Sequence, residues 1–175
     1  MIRVPILRQG RGPIDRARSY RVRTTEDGQR VSGIGHRASG SNLASVHQTT
    51  IQVRWGELDP YSHVNHAVYS SYLEHARVAA LGELDRGMEA LTVSGHRIVI
   101  VRSDVRFRAS ATAGDELLIT TRISEVRGAS MVWHQTIDRG KDRIVEAHTH
   151  AAFVSLGGRP TRIPDDLREA LGTLT

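Results

Sequence analysis

The stretch WGELDPYSHVNHAVYSSYLEHAR, residues 55–77, decides how the rest of the chain reads. Asp59, His63, Asn65 and His66 crowd together just where a broken, loop-like run gives way to helical spacing. Ala67, Val68, Tyr72, Ala76, Ala79 and Ala80 recur at helical intervals, so the spacing predicts a helix over 65–84. Asn65 or Ser62 can supply its N-cap, because a short polar side chain accepts from the open amides of a first turn. Glu74 and Arg77 stand three apart and can pair on one surface. Small and apolar residues cover most of the circumference, which predicts burial on more than one side.

On either side the pattern is that of strands. QTTIQVRW, residues 48–55, alternates Ile51, Val53 and Trp55 against Gln52 and Arg54, until Pro60, Tyr61 and Ser62 break the run. Downstream, RIVIVRSDVRFRA, DELLITTRISEV, SMVWHQTID and RIVEAHTHAAFVSL read as four more strands. The second puts Leu117, Ile119, Thr121 and Ile123 on one face, and the last offers Val145, Ala147, Ala151 and Phe153, small enough to lie against a helix. Arg127-Gly128 and Arg139-Gly140 mark hairpin turns. RIPDDLREAL closes with a short helix, Pro164 in its first turn. One strand, a buried helix and four long strands predict an α+β domain, its antiparallel sheet curled about the helix. The other face of that sheet must be solvated or covered, so self-association is expected.

Charge divides the chain unevenly. Residues 1–48 hold nine arginines against Asp15, Glu26 and Asp27, a net of +6, while 49–175 carry fifteen cations against sixteen acids, a net of −1. The overall +5 therefore belongs to the leading segment, and a nucleic-acid partner is not expected, since such folds carry their basic face on the folded part. Residues 1–47 are rich in Gly, Ser and Arg and poor in apolar side chains, so they read as a basic, flexible segment before a domain at 48–175. A plain tail or an over-called start of translation ranks above an electrostatic arm or a targeting peptide. There is no cysteine, which excludes disulfides, thiolate metal sites and a cysteine nucleophile and fits a cytoplasmic protein. No apolar run approaches the roughly 18 residues of a membrane span.

Three readings compete for residues 59–77. In the first, Asp59 and Pro60 turn the chain, an N-cap follows and the tyrosines pack. In the second, His63 and His66, with the His148/His150 pair, hold a metal, although no HExxH spacing is present. In the third, Asp59 stands just before a helix N-terminus, whose open amides and positive dipole end suit a carbonyl on which charge develops.

The same stretch also resembles a family. RWGELDPYSHVNHAVYSSYLEHAR is similar to the signature of the 4-hydroxybenzoyl-CoA thioesterase-like branch of hotdog-fold acyl-CoA thioesterases: an arginine strand, an aspartate, GHVNN, a tyrosine and an E-A-R helix. Weaker likeness runs on through Gly114-Asp115, Ser130 and GGRPTRIP, to cover about residues 48–168. The resemblance implies the hotdog fold and thioester hydrolysis. It assigns Asp59 as the catalytic carboxylate and the His66 backbone N–H as the donor that polarises the thioester carbonyl. His63 and Asn65 would orient loop, water or carboxylate, and Tyr69 would line the acyl pocket. Ser62 stands where the family has glycine, which puts a tight turn in question, and His66 replaces the second asparagine. A second branch places its carboxylate on this helix, but Glu74 fits the structural E-A-R pattern better.

The resemblance further implies an acyl-CoA or acyl-carrier-protein thioester as partner, a homodimer or homotetramer with sites between subunits, and no cofactor or metal, coenzyme A being part of the substrate. A thioester is activated enough for a weak base, so Asp59 would attack it directly or deprotonate a water. Arg102, Arg106, Arg108 and Arg127 are candidates for the coenzyme phosphates. The alternatives are a hotdog enoyl-thioester hydratase or dehydratase using Asp59 and His63, and a non-catalytic acyl-thioester binder.

Overall fold

A computed structural model of the chain describes residues 46–175, so the expectations for the basic leading segment lie outside the described residues. The elements run β1 (His47–Gln52), α1 (His66–Glu83), α2 (Met88–Val93), β2 (His96–Phe107), β3 (Glu116–Val126), β4 (Ser130–Arg139), β5 (Asp142–Ser155) and α3 (Asp165–Gly172). A 3-10 turn, Trp55–Glu57, lies between β1 and α1.

The five strands form one antiparallel sheet in the order β1-β3-β4-β5-β2. Its register sorts the side chains. Thr121, Gln135, Ala147 and Val105 face one another across β3, β4, β5 and β2, as do Ile119, Ile137 and Val145. These rows face the core: Ile119, Ile137, Val145 and Ala147 are all fully buried. Burying each large aliphatic side chain stabilises the fold by about 1.5–3 kcal/mol. Ala76 of α1 shares a core cluster with Ala147, and Ala80 shares the neighbouring cluster with Ala151. Small residues on both partners let the helix approach the sheet; a larger side chain at Ala147 would overpack this contact, at a cost of about 1–3 kcal/mol. A sheet folded about one long helix in this strand order is the hotdog fold that the resemblance implies.

Three details differ from the sequence reading, and a fourth decides between alternatives it left open. β1 ends at Gln52; Val53 stays buried, but Trp55 is turned out into the 3-10 turn and is 84% exposed. The turn closes because the Arg54 N–H donates to Glu57 Oε2 (2.7 Å) and the Glu57 N–H to the Arg54 carbonyl (3.1 Å). Helix α2 was not expected: six residues are too few to show a period. In the single chain α1 buries one face, Tyr69, Tyr72, Leu73, Ala76, Ala80 and Leu81, and not several, because the sheet covers only that side. Finally, the outer face of the sheet is polar, the solvated one of the two cases the sequence allowed. Arg122, His134, His148 and Asp104 form one cross-strand row, and Thr120, Thr136, Glu146 and Arg106 another, so this face suits water.

Candidate active site

The loop between the 3-10 turn and α1 is closed by its own backbone. Leu58 and Val64 form an isolated bridge, the Asp59 N–H donates to the His63 carbonyl (2.7 Å) and the Ser62 N–H to the Asp59 carbonyl (3.0 Å). Inside this ring, Asp59 Oδ1 accepts from the N–H groups of Tyr61 (2.9 Å) and His63 (3.2 Å). Those bonds fix the carboxylate and leave Oδ2 without a protein partner among the described residues. The turn survives the loss of glycine: Ser62 adopts φ +62°, a left-handed conformation that costs an L-residue roughly 1–2 kcal/mol. The structure thus keeps the tight turn that the serine had put in question.

The helix start is equally specific. Asn65 is the N-cap, and its Oδ1 accepts from the Ala67 N–H at 3.0 Å. The Val68 N–H donates to the Asn65 carbonyl (2.9 Å), and the Asn65 N–H to the Glu57 carbonyl (2.9 Å). The His66 N–H, between these satisfied amides, has no protein acceptor among the described residues. Open amides at a helix N-terminus carry partial positive charge and suit a developing oxyanion.

A cleft of about 340 Å³ joins these groups; Asp59, Val64, His66, Tyr69, Phe107 and Arg108 line it, with Ala109 and Ser110. Of the residues singled out in the sequence, Asp59, His66, Tyr69 and the phosphate candidate Arg108 therefore meet at one cavity. Tyr69 is buried and its hydroxyl accepts from the Ala111 N–H (3.2 Å), which fixes the ring against the cleft; burial, above all, raises its pKa. Its ring lies 5.7 Å from that of Phe107. Asn65 is absent from the lining and acts on the helix start. The His63 ring is exposed and also absent from the lining; the residue contributes through its backbone.

Glu74 belongs elsewhere. It borders a separate small cavity of about 60 Å³ with Arg77, Val78, Leu81, Met88, Ile98, Ile100 and Trp133. The expected Glu74–Arg77 pair does not form: Arg77 Nη1 donates instead to Gln135 Oε1 (2.7 Å), and burial lowers the Arg77 pKa against the opposing charge of Glu74. The metal reading fares no better, since no group of three or more His, Asp or Glu among the described residues could hold an ion. The His148 ring lies tilted against that of His134, with centroids 4.6 Å apart, and His150 faces Asp104 at 3.8 Å. Of the four arginines considered for phosphate, Arg102, Arg108 and Arg127 are paired with Asp104, Glu146 and Glu125, while Arg106 has no acidic partner among the described residues.

Sequence reasoning named Arg108 for the coenzyme phosphates but missed the rest of the wall it stands in, Phe107, Ala109 and Ser110, which reaches the cleft only through the pairing of β2 with β5. It also missed Glu57, although the Arg54-x-x-Glu57 spacing of a capping turn was there to find.

Comparison with known proteins shows which family the chain belongs to. The family model described as the thioesterase-like superfamily matches residues 53–171. The long-chain acyl-CoA thioesterase FadM of Escherichia coli (strain K12) is 32% identical over 127 residues, 71% of this chain and 96% of FadM. The chloroplastic acyl-acyl carrier protein thioesterase ATL3 of Arabidopsis thaliana is 28% identical over 131 residues, 74% of this chain and 69% of ATL3. A hypothetical protein from Thermus thermophilus superimposes with a TM-score of 0.69 at 30% identity, over 74% of this chain and 99% of that one. With the match running from just beyond β1 into α3, and a relative of this identity covered almost end to end, the chain belongs to the thioesterase-like superfamily.

Proposed function

We propose that the chain hydrolyses an acyl thioester of coenzyme A or of an acyl carrier protein to the free acid and the thiol. Asp59 supplies the carboxylate, as nucleophile or as base for a water, and the His66 N–H receives the charge that builds on the carbonyl oxygen. The observation that carries this reading is the shared cleft of Asp59 and His66: among the described residues, neither Asp59 Oδ2 nor the His66 N–H at the helix start has a protein partner. A thioester needs no stronger base, because thiolate leaves readily. An oxyanion donor of this kind is worth on the order of 3 kcal/mol.

Two relatives named for acyl-CoA and acyl-carrier-protein substrates support the substrate class without choosing between the carriers. Self-association is expected along β2, which is an edge of the sheet and leaves Val99, Ile100, Val101 and Phe107 exposed. A long edge strand with open backbone groups and apolar side chains pairs readily with a second copy. That edge ends at Phe107, so such pairing would put the cleft at the interface.

Thiol trapping across a panel of acyl-CoA and acyl-carrier-protein thioesters tests the proposal. Thiol release catalysed by the wild-type chain is expected. Loss of enoyl absorbance without thiol would favour the hydratase reading instead, and tight binding with neither would favour a binder.

A further inference from the structure

We infer that Glu57 and Tyr72 are positioning residues for Asp59, a pin that holds the catalytic loop at the start of α1; the inference rests on the reading of Asp59 as the reacting carboxylate. Asp59 sits on the loop 58–64, whose own hydrogen bonds shape it but do not aim it. What ties the loop to the rest of the protein is a small set of contacts at its base. Val64 N–H donates to the Ala111 carbonyl (2.8 Å) on one side. On the other side stands Glu57, which meets three segments at once.

The backbone carbonyl of Glu57 accepts from the Asn65 N–H (2.9 Å), the residue that caps α1. Its Oε2 accepts from the Arg54 N–H (2.7 Å), where the chain leaves β1, and from Tyr72 Oη (2.6 Å), in the second turn of α1. Strand end and helix therefore converge on one carboxylate, and the helix cap on the backbone carbonyl of the same residue, two residues before Asp59. Tyr72 is itself held: it is buried and packs edge-on against Tyr69, with centroids 6.1 Å apart and planes at 87°. Tyr69 in turn lines the cleft. Burial, and then the Glu57 carboxylate, push the Tyr72 pKa up, so the phenol stays a donor throughout the working pH range. A charge-assisted bond of this length is stronger and more directional than a neutral one.

The pin is not needed to place the amide. The His66 N–H is presented by the cap, whereas Asp59 must be presented by the loop. Loosening the pin is therefore expected to misplace the carboxylate while leaving substrate binding largely intact.

The test uses the full chain, with trapped thiol as the readout, and measures kcat and KM for Tyr72→Phe, Glu57→Gln and Glu57→Ala. An ångström of misplacement is enough for Tyr72→Phe and Glu57→Ala to lower kcat by about 10- to 100-fold, with KM within about twofold. Glu57→Gln keeps an acceptor oxygen and is expected to stay within about threefold of wild type. The decisive arm is Tyr72→Phe placed in an Asp59→Asn background. A residue that acts through Asp59 changes the residual rate there by less than about twofold. The same fractional loss in both backgrounds, or a wild-type kcat for Tyr72→Phe, overturns the inference. Wild-type activity of Asp59→Asn alone is a different result: it removes the reading of Asp59 on which the pin depends. If Tyr72→Phe does not fold, Glu57→Ala carries the same comparison.

Discussion

Asn65 Oδ1 lies 3.0 Å from the Ala67 nitrogen, so the asparagine of the signature is spent on the helix rather than on the neighbouring carboxylate. Its work is to set where α1 begins, and hence which amide is left open. Asn65→Ala is expected to cost about 1 kcal/mol of stability, and Asn65→Asp much less, because aspartate caps as well as asparagine. Urea unfolding of the two variants checks this. Equal stability of Asn65→Ala and wild type would mean that the cap bond contributes nothing.

Ser62 pays a conformational cost at φ +62°. Ser62→Gly relieves it and is expected to stabilise by up to about 1 kcal/mol, part of the gain being lost to the freer unfolded chain. Ser62→Val, β-branched and poorly suited to positive φ, is expected to destabilise by about 1 kcal/mol or more. Thermal unfolding of both variants separates them; a neutral Ser62→Val would contradict the turn geometry.

Gln135 is fully buried and serves three partners. Nε2 donates to the Leu73 carbonyl (2.9 Å) and Thr121 Oγ1 (3.0 Å), and Oε1 accepts from Arg77 Nη1. Gln135→Leu strands these groups and is expected to cost about 2–3 kcal/mol. Urea midpoints measure it. A change below half that size would show that water or rearrangement replaces the lost bonds.

The architecture was legible in the sequence where periodicity was long. Leu117, Ile119, Thr121 and Ile123 alternate inward as read, and so do Val145, Ala147, Ala151 and Phe153. The start of α1 was legible because the polar residues before it have few other uses. What failed was local or long-range. Trp55 continues the alternation of β1 on paper, but the bond between the Arg54 N–H and Glu57 turns the chain first. Arg77 has Glu74 within reach along the helix, yet finds Gln135 across the core, a partner that only strand register reveals. The Phe107–Ser110 wall carries no motif of its own; it becomes part of the cleft through the fold.

His134 gives the fold a dependence on pH. Arg122 Nε donates to its Nδ1 (2.9 Å), the His148 ring lies tilted beside it, and Glu146 lies 3.5 Å from its Nε2. Burial first, then the charge of Arg122, lowers its pKa below the usual histidine value of about 6.5, with Glu146 opposing. A base whose folded pKa is depressed stabilises the fold above its unfolded pKa, and that contribution is lost as pH falls below it. Wild type is therefore expected to lose more stability between about pH 7 and pH 5 than His134→Gln, which has no proton to gain. Parallel stability curves for the two proteins would contradict this.

The most direct measurement compares thioester cleavage by wild type and Asp59→Asn, each confirmed as folded, in single-turnover thiol release, with His66→Ala alongside. The account predicts that Asp59→Asn loses about 10²- to 10⁴-fold in rate, while His66→Ala, which keeps its backbone N–H, stays close to wild type. Cleavage by Asp59→Asn at the wild-type rate would contradict it.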